Sequence, residues 1–326
     1  MATLTACGGD GEEAAAPAAS STTTTTAVAT AEIVDGPESG DAVLVAASAG
    51  DDVARIALLD GSTVEETIDV PPVVDDVVLG VGGGFVWSDG ATARFVDRSM
   101  ATREVGPATA VLSAVEPDRF WSVHAGDTVE RGADGVETSR APVPQGDDVQ
   151  REVADGLLVD RDGSLLVLLA GGGERLVYEG DFDIEVDASS AGHVVTRAAT
   201  LVDVTSGQVR ALPREGWAID APTMLASFSA DGARLALATG PSNVRPASVA
   251  IFDVATASLL TDVSIDGAED FASLAWSPGN EVVYLLETDA TKARSRQVLG
   301  VRVDGTVTTV ATFADGTAYS ALAVAA

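Results

Sequence analysis

Short strand-like segments separated by aspartate and glycine turns repeat along almost the whole chain, and this repetition limits the possible folds more than any other feature. From about residue 40 onward, runs rich in Val, Leu, Ala and Thr alternate with Gly, Asp and Ser every 8–12 residues. This spacing is typical of an all-β sandwich, barrel or propeller. No convincing helical stretch of 12 residues with caps interrupts the pattern. The sequence therefore predicts an all-β protein.

Two segments near the C-terminus show the repeat unit most clearly. Residues 228–240 and 276–288 both read as strand, tight turn and strand, and the equivalent Ser229 and Ser277 lie 48 residues apart. An Asp-Gly pair in the first segment supports the positive φ angles of a tight hairpin. A period in this range indicates a repeat architecture.

A second recurring element is a strand that ends in an acidic residue, followed by a small-residue turn and another strand. Successive copies are separated by 24 to 51 residues. Such a unit is the outer hairpin of a four-stranded propeller blade, so seven copies predict a single β-propeller of seven blades. Six blades are the alternative because one spacing is short. The copies lie at Asp60, Asp97, Asp134, Glu179, Asp203, Asp253 and Asp304.

These repeats resemble those of bacterial WD-repeat-like propellers, including the TolB-type group. Residues 228–240 and 276–288 carry the resemblance, and Phe252-Asp253 stands where a Trp-Asp pair would stand. The resemblance covers about residues 40–326 and implies one propeller domain.

The two ends of the repeat region predict how the ring closes. Residues 318–325 resemble the inner strand at 272–276, whereas the first repeat begins at a second strand, residues 42–47. We therefore expect the C-terminal strand to complete the first blade, which would remove two exposed sheet edges. The predicted domains are a disordered linker over residues 1–39 and a propeller over residues 40–326.

The N-terminal residues are typical of an exported lipoprotein. Residues 4–7, Leu-Thr-Ala-Cys, resemble the bacterial lipobox, in which the cysteine (Cys7) is lipidated. Only six residues precede Cys7, too few for a signal peptide, so we expect the natural start to lie upstream. Residues 8–31 are rich in Gly, Ala and Thr and read as a disordered stalk. This order predicts an extracytoplasmic protein that is lipid-anchored to the cell membrane.

The charge balance excludes some partners. Fifty acidic residues face nineteen basic ones, which gives a formal net charge of −31. Such a surface repels nucleic acid and anionic lipid headgroups, so we expect contact with the membrane only through the anchor. The acidity favours cations and basic partners, or it serves solubility alone.

Residues that resemble catalytic motifs lack the required context. His124 and His193 fall in different repeats, and neither has a partner at metal-ligand spacing. Residues 46–50 and 188–192 resemble a nucleophile elbow, but no helix follows either of them. We expect no catalytic site from these motifs. The glycine-rich stretches at 80–84 and 171–173 read as hairpin connections.

One acidic segment is a candidate metal site. In a strand, alternate residues share a face, so four carboxylates would form one ladder suited to weak Ca²⁺ binding. The alternative is a solvated strand face without a cofactor. The four residues are Asp181, Asp183, Glu185 and Asp187.

The four tryptophans fall in different repeats, and we expect them in the cores between blades, with a stacking platform at the axial mouth as the alternative. They are Trp87, Trp121, Trp217 and Trp276.

Two functions remain open, because propellers host many functions. The first is a monomeric, non-enzymatic scaffold that binds a protein or glycan at the cell envelope. The second is a hydrolase or lyase with carboxylates and histidine around the axial channel, with possible dependence on Ca²⁺. Convergence of His, Asp and Arg at one mouth of the channel would favour the second.

Overall fold

The protein is an all-β ring of seven sheets. The computed structural model describes residues 31–48, 53–64, 68–74, 77–144, 147–179, 188–190, 192–196, 199–213, 224–242, 246–289, 291–292, 294–314 and 317–325. Within these ranges the chain forms strands and no α-helix. The seven sheets confirm the predicted seven-bladed β-propeller and exclude the six-bladed alternative.

The strands follow one another in chain order, and each blade after the first uses four consecutive ones. The first five are β1 (Ala31–Ile33), β2 (Ala42–Ser48), β3 (Ala54–Asp60), β4 (Thr63–Val64) and β5 (Ile68–Val70). Blade 2 contains β6 (Val78–Val81), β7 (Gly84–Ser88), β8 (Thr92–Asp97) and β9 (Thr102–Pro107). Blade 3 contains β10 (Ala110–Ser113), β11 (Arg119–His124), β12 (Asp127–Gly132) and β13 (Glu137–Pro142). Blade 4 contains β14 (Asp148–Val153), β15 (Gly156–Arg161), β16 (Ser164–Leu169) and β17 (Glu174–Glu179).

The remaining blades follow the same plan. Blade 5 contains β18 (Ala188–Ser190), β19 (His193–Val195), β20 (Thr200–Asp203) and β21 (Val209–Ala211). Blade 6 contains β22 (Met224–Phe228), β23 (Arg234–Thr239), β24 (Ser248–Asp253) and β25 (Ser258–Ser264). Blade 7 contains β26 (Asp270–Trp276), β27 (Val282–Asp289), β28 (Arg294–Arg302) and β29 (Val307–Phe313), and the last strand is β30 (Ala321–Ala325).

Blade 1 is assembled from both ends of the chain. Its strand order is β30-β2-β3-β4, and Ala321–Ala325 pair antiparallel with Ala42–Ala46. The predicted closure by the C-terminal strand is therefore confirmed. Strand β1, which lies in the segment assigned to the linker, pairs antiparallel with β29 at the outer edge of blade 7.

The first strand of every blade packs against the first strands of both neighbours. These contacts run through β30, β6, β10, β14, β18, β22 and β26 and return to β30. The seven strands therefore surround the axis of the ring, and the turns at their ends face its mouth.

Alternation along the strands builds a core at each junction between blades. In β2, Val43 and Val45 face blade 7, whereas Leu44 and Ala46 face blade 2, as expected when successive residues point to opposite faces. All four are at most 2% exposed. The described residues form seven such cores, one for each pair of neighbours.

The core between blades 3 and 4 is the smallest of the seven. Its fully packed members are Val149, Val159 and Leu166, all from blade 4. Blade 3 contributes only the partly buried Leu112 and Val143. Among the described residues this junction has the fewest fully packed core members, so we expect the hydrophobic effect to hold it less tightly than the other six.

Tryptophan side chains confirm the expected core positions where they are described. Trp87 is fully buried between blades 1 and 2. Trp276 packs between blades 6 and 7, and its indole N–H donates a 2.9 Å hydrogen bond to the Ser227 carbonyl oxygen. Trp121 is 5% exposed, and Trp217 lies outside the described residues.

The aspartates that mark the repeat hold the outer turns. The Asp203 carboxylate accepts hydrogen bonds from the backbone N–H groups of Thr205 and Ser206 at 2.9 and 2.8 Å. Asp97 and Asp253 accept equivalent bonds, and in each case the bonds lower the pKa of the carboxyl. The repeated acid is therefore a turn residue, as in an Asx-turn.

The repeat copy predicted at Glu179 was wrong, because Glu179 ends the outer strand β17. The outer turn of blade 4 lies at residues 170–173, where the N–H of Leu169 bonds the carbonyl oxygen of Gly173 at 3.1 Å. Gly172 and Gly173 have positive φ angles of 89° and 92° and make this turn without an aspartate. The glycine stretches are thus hairpin connections, as predicted.

Candidate functional site

An axial pocket opens at the mouth of the ring where the first strands turn into the second strands. Its volume is about 460 Å³. Residues of five blades line this pocket, so it forms only when the blades are assembled into the ring. The lining consists of 79–81 from blade 2, 113–117 and 119 from blade 3, 151–152 from blade 4, 192–193 from blade 5 and 228–232 from blade 6.

A β-bulge in the innermost strand of blade 4 directs Arg151 into this pocket. Val149 pairs with Val159, but Arg151 pairs with Leu158, so Gln150 is the extra residue. Val159 and Leu158 are neighbours and point to opposite faces, which places Val149 and Arg151 on opposite faces as well. Val149 packs towards blade 3, and Arg151 lies on the face turned to blade 5. Without the bulge, the arginine would point into the blade 3 junction.

Arg151 has no ionic or hydrogen-bonding partner among the described residues. It is partly accessible from the pocket. Burial, with no compensating charge, lowers the pKa of its guanidinium to about 10. The group remains charged near neutral pH, and its donors are available to a ligand.

The other charged groups around the pocket are already occupied. The Glu152 carboxylate accepts a 2.7 Å hydrogen bond from the N–H of Val115 in the blade 3 loop. Asp231 accepts a 2.6 Å bond from the Ser229 hydroxyl and a further bond from a turn N–H. Arg119 pairs with Glu116 at 3.0 Å and also approaches Glu130. These groups shape the wall of the pocket.

His193 has two polar residues as neighbours across the strands of blade 5. Ser190 of β18 lies opposite His193 of β19, and His193 lies opposite Asp203 of β20. The Nε2 atom of His193 is 3.8 Å from the Asp203 carboxylate. Burial lowers the pKa of His193, with Asp203 opposing, so the ring is neutral at pH 7. The sequence did not place Ser190 beside His193, whereas the backbone ladder makes them direct partners.

The second histidine is distant from this row. His124 ends β11 of blade 3, opposite Asp127 in the ladder, and is exposed. The two histidines are not brought together, in agreement with their assignment to separate repeats.

A second concavity follows the thin junction between blades 3 and 4. This crevice has a volume of about 660 Å³ and is lined by Trp121, Glu130 and Arg140 of blade 3 and by residues 152–157 and 168–174 of blade 4. The buried Nε1 atom of Trp121 has no hydrogen-bond partner in the described structure. Trp121 thus faces the crevice and not the axial mouth.

Neither the predicted metal site nor the predicted lipidation site can be placed. Asp181, Asp183, Glu185, Asp187 and Cys7 all lie outside the described residues. In the part of the chain that the structure describes, no three His, Cys, Asp or Glu side chains are grouped to hold a metal ion. The same part contains no helix that is long and apolar enough to cross a membrane.

Arg151 was not predicted as a site residue from the sequence. A bulge adds one residue to a strand without a composition signal, so the direction of Arg151 could not be read from alternation.

Comparison with known proteins supports the fold. The chain is similar to the β-propeller domain of the Trilobed protease from Pyrococcus furiosus, with a TM-score of 0.59 and 11% identity over 88% of this chain and 99% of that one. It is also similar to a functionally unknown protein from Desulfotomaculum acetoxidans, with a TM-score of 0.51 and 10% identity over 87% and 98%. TolB from Acinetobacter baumannii aligns with a TM-score of 0.46 and 15% identity over 88% and 67%.

No family model and no curated protein matches the sequence. At these identities the likeness concerns the fold alone. The fold and the ring topology together define the chain as a seven-bladed β-propeller.

Proposed function

We propose that this chain is an extracytoplasmic, lipid-anchored propeller that acts as a non-enzymatic binding scaffold at the cell envelope. The axial pocket carries the binding part of the proposal, because loops of five blades converge on one concavity of about 460 Å³. A pocket of this size with a few convergent polar groups is typical of a ligand site. The lipobox-like residues around Cys7 and the polar linker support the anchored location.

Affinity capture tests the scaffold. The full chain is immobilised and exposed to detergent-solubilised envelope from its native host, and retained proteins and glycans are identified by mass spectrometry. We expect one partner in near-stoichiometric amount that free protein displaces. Failure to retain any protein or glycan in this way would contradict the scaffold function.

Metabolic labelling tests the anchor separately. The chain is expressed behind an export signal with an alkyne fatty acid in the medium. We expect label on the wild type and none on Cys7→Ser, which changes one atom of the side chain. Equal labelling of both proteins would exclude Cys7 as the lipidated residue.

The row of Ser190, His193 and Asp203 favours a hydrolase as the second candidate. The strand register places Ser190 opposite His193 and His193 opposite Asp203, and a neutral imidazole next to a hydroxyl residue can act as its general base. Its test is covalent labelling with a fluorophosphonate probe, in the presence and absence of Ca²⁺. Labelling that Ser190→Ala and His193→Gln abolish would establish this function, and unlabelled wild type would remove it.

A further inference from the structure

We propose that the axial pocket binds a ligand through a carboxylate group, which the Arg151 guanidinium holds in a two-pronged ion pair. This inference rests on the proposed binding function and adds the chemical class of the ligand. Three observations carry it, namely the bulge, the vacant donors of Arg151 and the distribution of acidic groups around the pocket.

The bulge shows that the position of Arg151 is built into the strand. Bulges redirect side chains and concentrate next to functional sites. The extra residue Gln150 places both Arg151 and Val153 on the face opposite to Val149, so that Arg151 reaches the open pocket and Val153 packs in the core between blades 4 and 5. The bulge therefore sets the direction of the arginine together with that of the core residue that follows it.

The unpaired N–H donors of Arg151 indicate that the ligand supplies a negative charge. Removing a cation from water without a partner is unfavourable, and proteins normally pair such groups. Among the described residues Arg151 is the exception, although the chain has a formal net charge of −31 and carboxylates are present at the same pocket. Glu152 nevertheless accepts a hydrogen bond from a backbone N–H and Asp231 from a hydroxyl group, and neither pairs with Arg151. An anion brought by a ligand would complete the site.

The surrounding charge favours a carboxylate over a phosphate. Three carboxylates, those of Glu116, Glu152 and Asp231, line the pocket and outnumber its one other arginine, Arg119. A dianion would therefore meet more repulsion than a monoanion. The planar guanidinium matches the two oxygens of a carboxylate and forms parallel hydrogen bonds with them. The volume accommodates a small organic acid or the last residues of a polypeptide.

The test uses the full chain and isothermal calorimetry with defined probes. The probes are N-acetyl-trialanine with a free carboxylate, the same peptide as its amide, sodium acetate and inorganic phosphate. We expect the free acid to bind, the amide not to bind, and phosphate to bind more weakly than the acid. Tighter binding of the tripeptide than of acetate would support a polypeptide C-terminus as the source, and equal binding would support a small organic acid.

Two variants locate the binding. We expect Arg151→Gln to weaken binding of the free acid by roughly 10- to 100-fold, the range for loss of hydrogen bonds to a charged group. Arg55→Gln removes a partly exposed arginine of blade 1, which pairs with Asp69 at 3.4 Å, with the same change in net charge and is the matched control. We expect it to leave the affinity unchanged.

The unfolding temperature distinguishes a loss of binding from a loss of folding in Arg151→Gln. Because Arg151 is unpaired, Arg151→Gln should unfold at the same temperature as the wild type or at a higher one when no ligand is present. Equal affinity of wild type and Arg151→Gln, equal binding of acid and amide, or preference for phosphate would overturn the carboxylate site. If envelope capture fails while the acid still binds through Arg151, the scaffold function falls and the carboxylate site remains.

Discussion

The Tyr284 hydroxyl of blade 7 donates a 2.9 Å hydrogen bond to the Asp41 carboxylate at the start of blade 1. The same hydroxyl accepts a 2.9 Å bond from the N–H of Glu38. Tyr284 is 1% exposed and Asp41 is 8% exposed. This pair therefore joins the first and last blades through polar groups at the junction where the ring closes.

Removal of the Tyr284 hydroxyl should weaken the closed ring. We expect Tyr284→Phe to lower the free energy of unfolding by about 1.5–3 kcal/mol, because Asp41 loses a donor to a buried charge. Urea unfolding followed by tryptophan fluorescence measures the change. Tyr178→Phe is the control, because no hydrogen bond is described for the Tyr178 hydroxyl, and an equal loss in both variants would contradict a special role of the Tyr284–Asp41 bond.

The same junction should respond to pH. Burial raises the pKa of Asp41 despite the opposing bond from Tyr284. A carboxyl with a raised pKa in the folded state stabilises most below its unfolded pKa of 3.8 and loses that contribution as the pH rises through the folded value. We therefore expect the stability of Asp41→Asn relative to wild type to increase between pH 3 and pH 7, as measured by urea unfolding at each pH.

The contribution of Asp253 to stability should have the opposite pH dependence. Hydrogen bonds from Thr256 lower its pKa, so its contribution is present above the unfolded pKa and is lost as the pH falls through the folded one. Asp253→Asn should therefore lose stability relative to wild type as the pH rises over the same range. Parallel pH curves for the two variants would show that one of these assignments is incorrect.

The architecture could be predicted from the sequence because each repeat is defined by residues that are close together in the chain. Alternating apolar residues such as Val43 and Leu44 define both faces of a strand, and Asp203 or Asp253 marks an outer turn through bonds to the backbone that follows. The repeat copy of blade 4 was wrongly assigned to Glu179 because its outer turn has no aspartate and uses the positive φ angles of Gly172 and Gly173. Local signals of this kind fix blade number and closure.

The site was harder to predict because it depends on residues far apart in the chain. The pocket combines loops from residue 79 to residue 232, and no local pattern shows that they meet. Arg151 reaches the pocket only through the bulge at Gln150, and His193 meets Asp203 only through strand register. The row with Ser190 follows from the ladder alone, since the sequence pattern of a nucleophile elbow requires a helix that blade 5 replaces with a strand.

The thin junction between blades 3 and 4 should open before the others. Its core depends on Val149, Val159 and Leu166, whereas the junction of blades 1 and 2 includes Phe85 and Trp87. We expect backbone amides of β14 to exchange hydrogen faster than those of β2 in native-state hydrogen exchange. Uniform protection of the two strands would show that ring closure, and not the size of each junction, sets the opening energy.

The closing strand depends on close approach between two backbones. A Cβ atom on Gly80 of β6 would lie 1.9 Å from the Val324 carbonyl oxygen of β30, and neither group is the end of a flexible side chain. Gly80→Ala should therefore lower the free energy of unfolding by about 1–3 kcal/mol, the range for overpacked sites. Gly171→Ala is the control, because its Cβ would meet no atom within 4 Å, and loss of a glycine there should be neutral or slightly stabilising. If Gly80→Ala unfolds at the same denaturant concentration as Gly171→Ala, blade 2 does not pack against the C-terminal strand as closely as the ring requires.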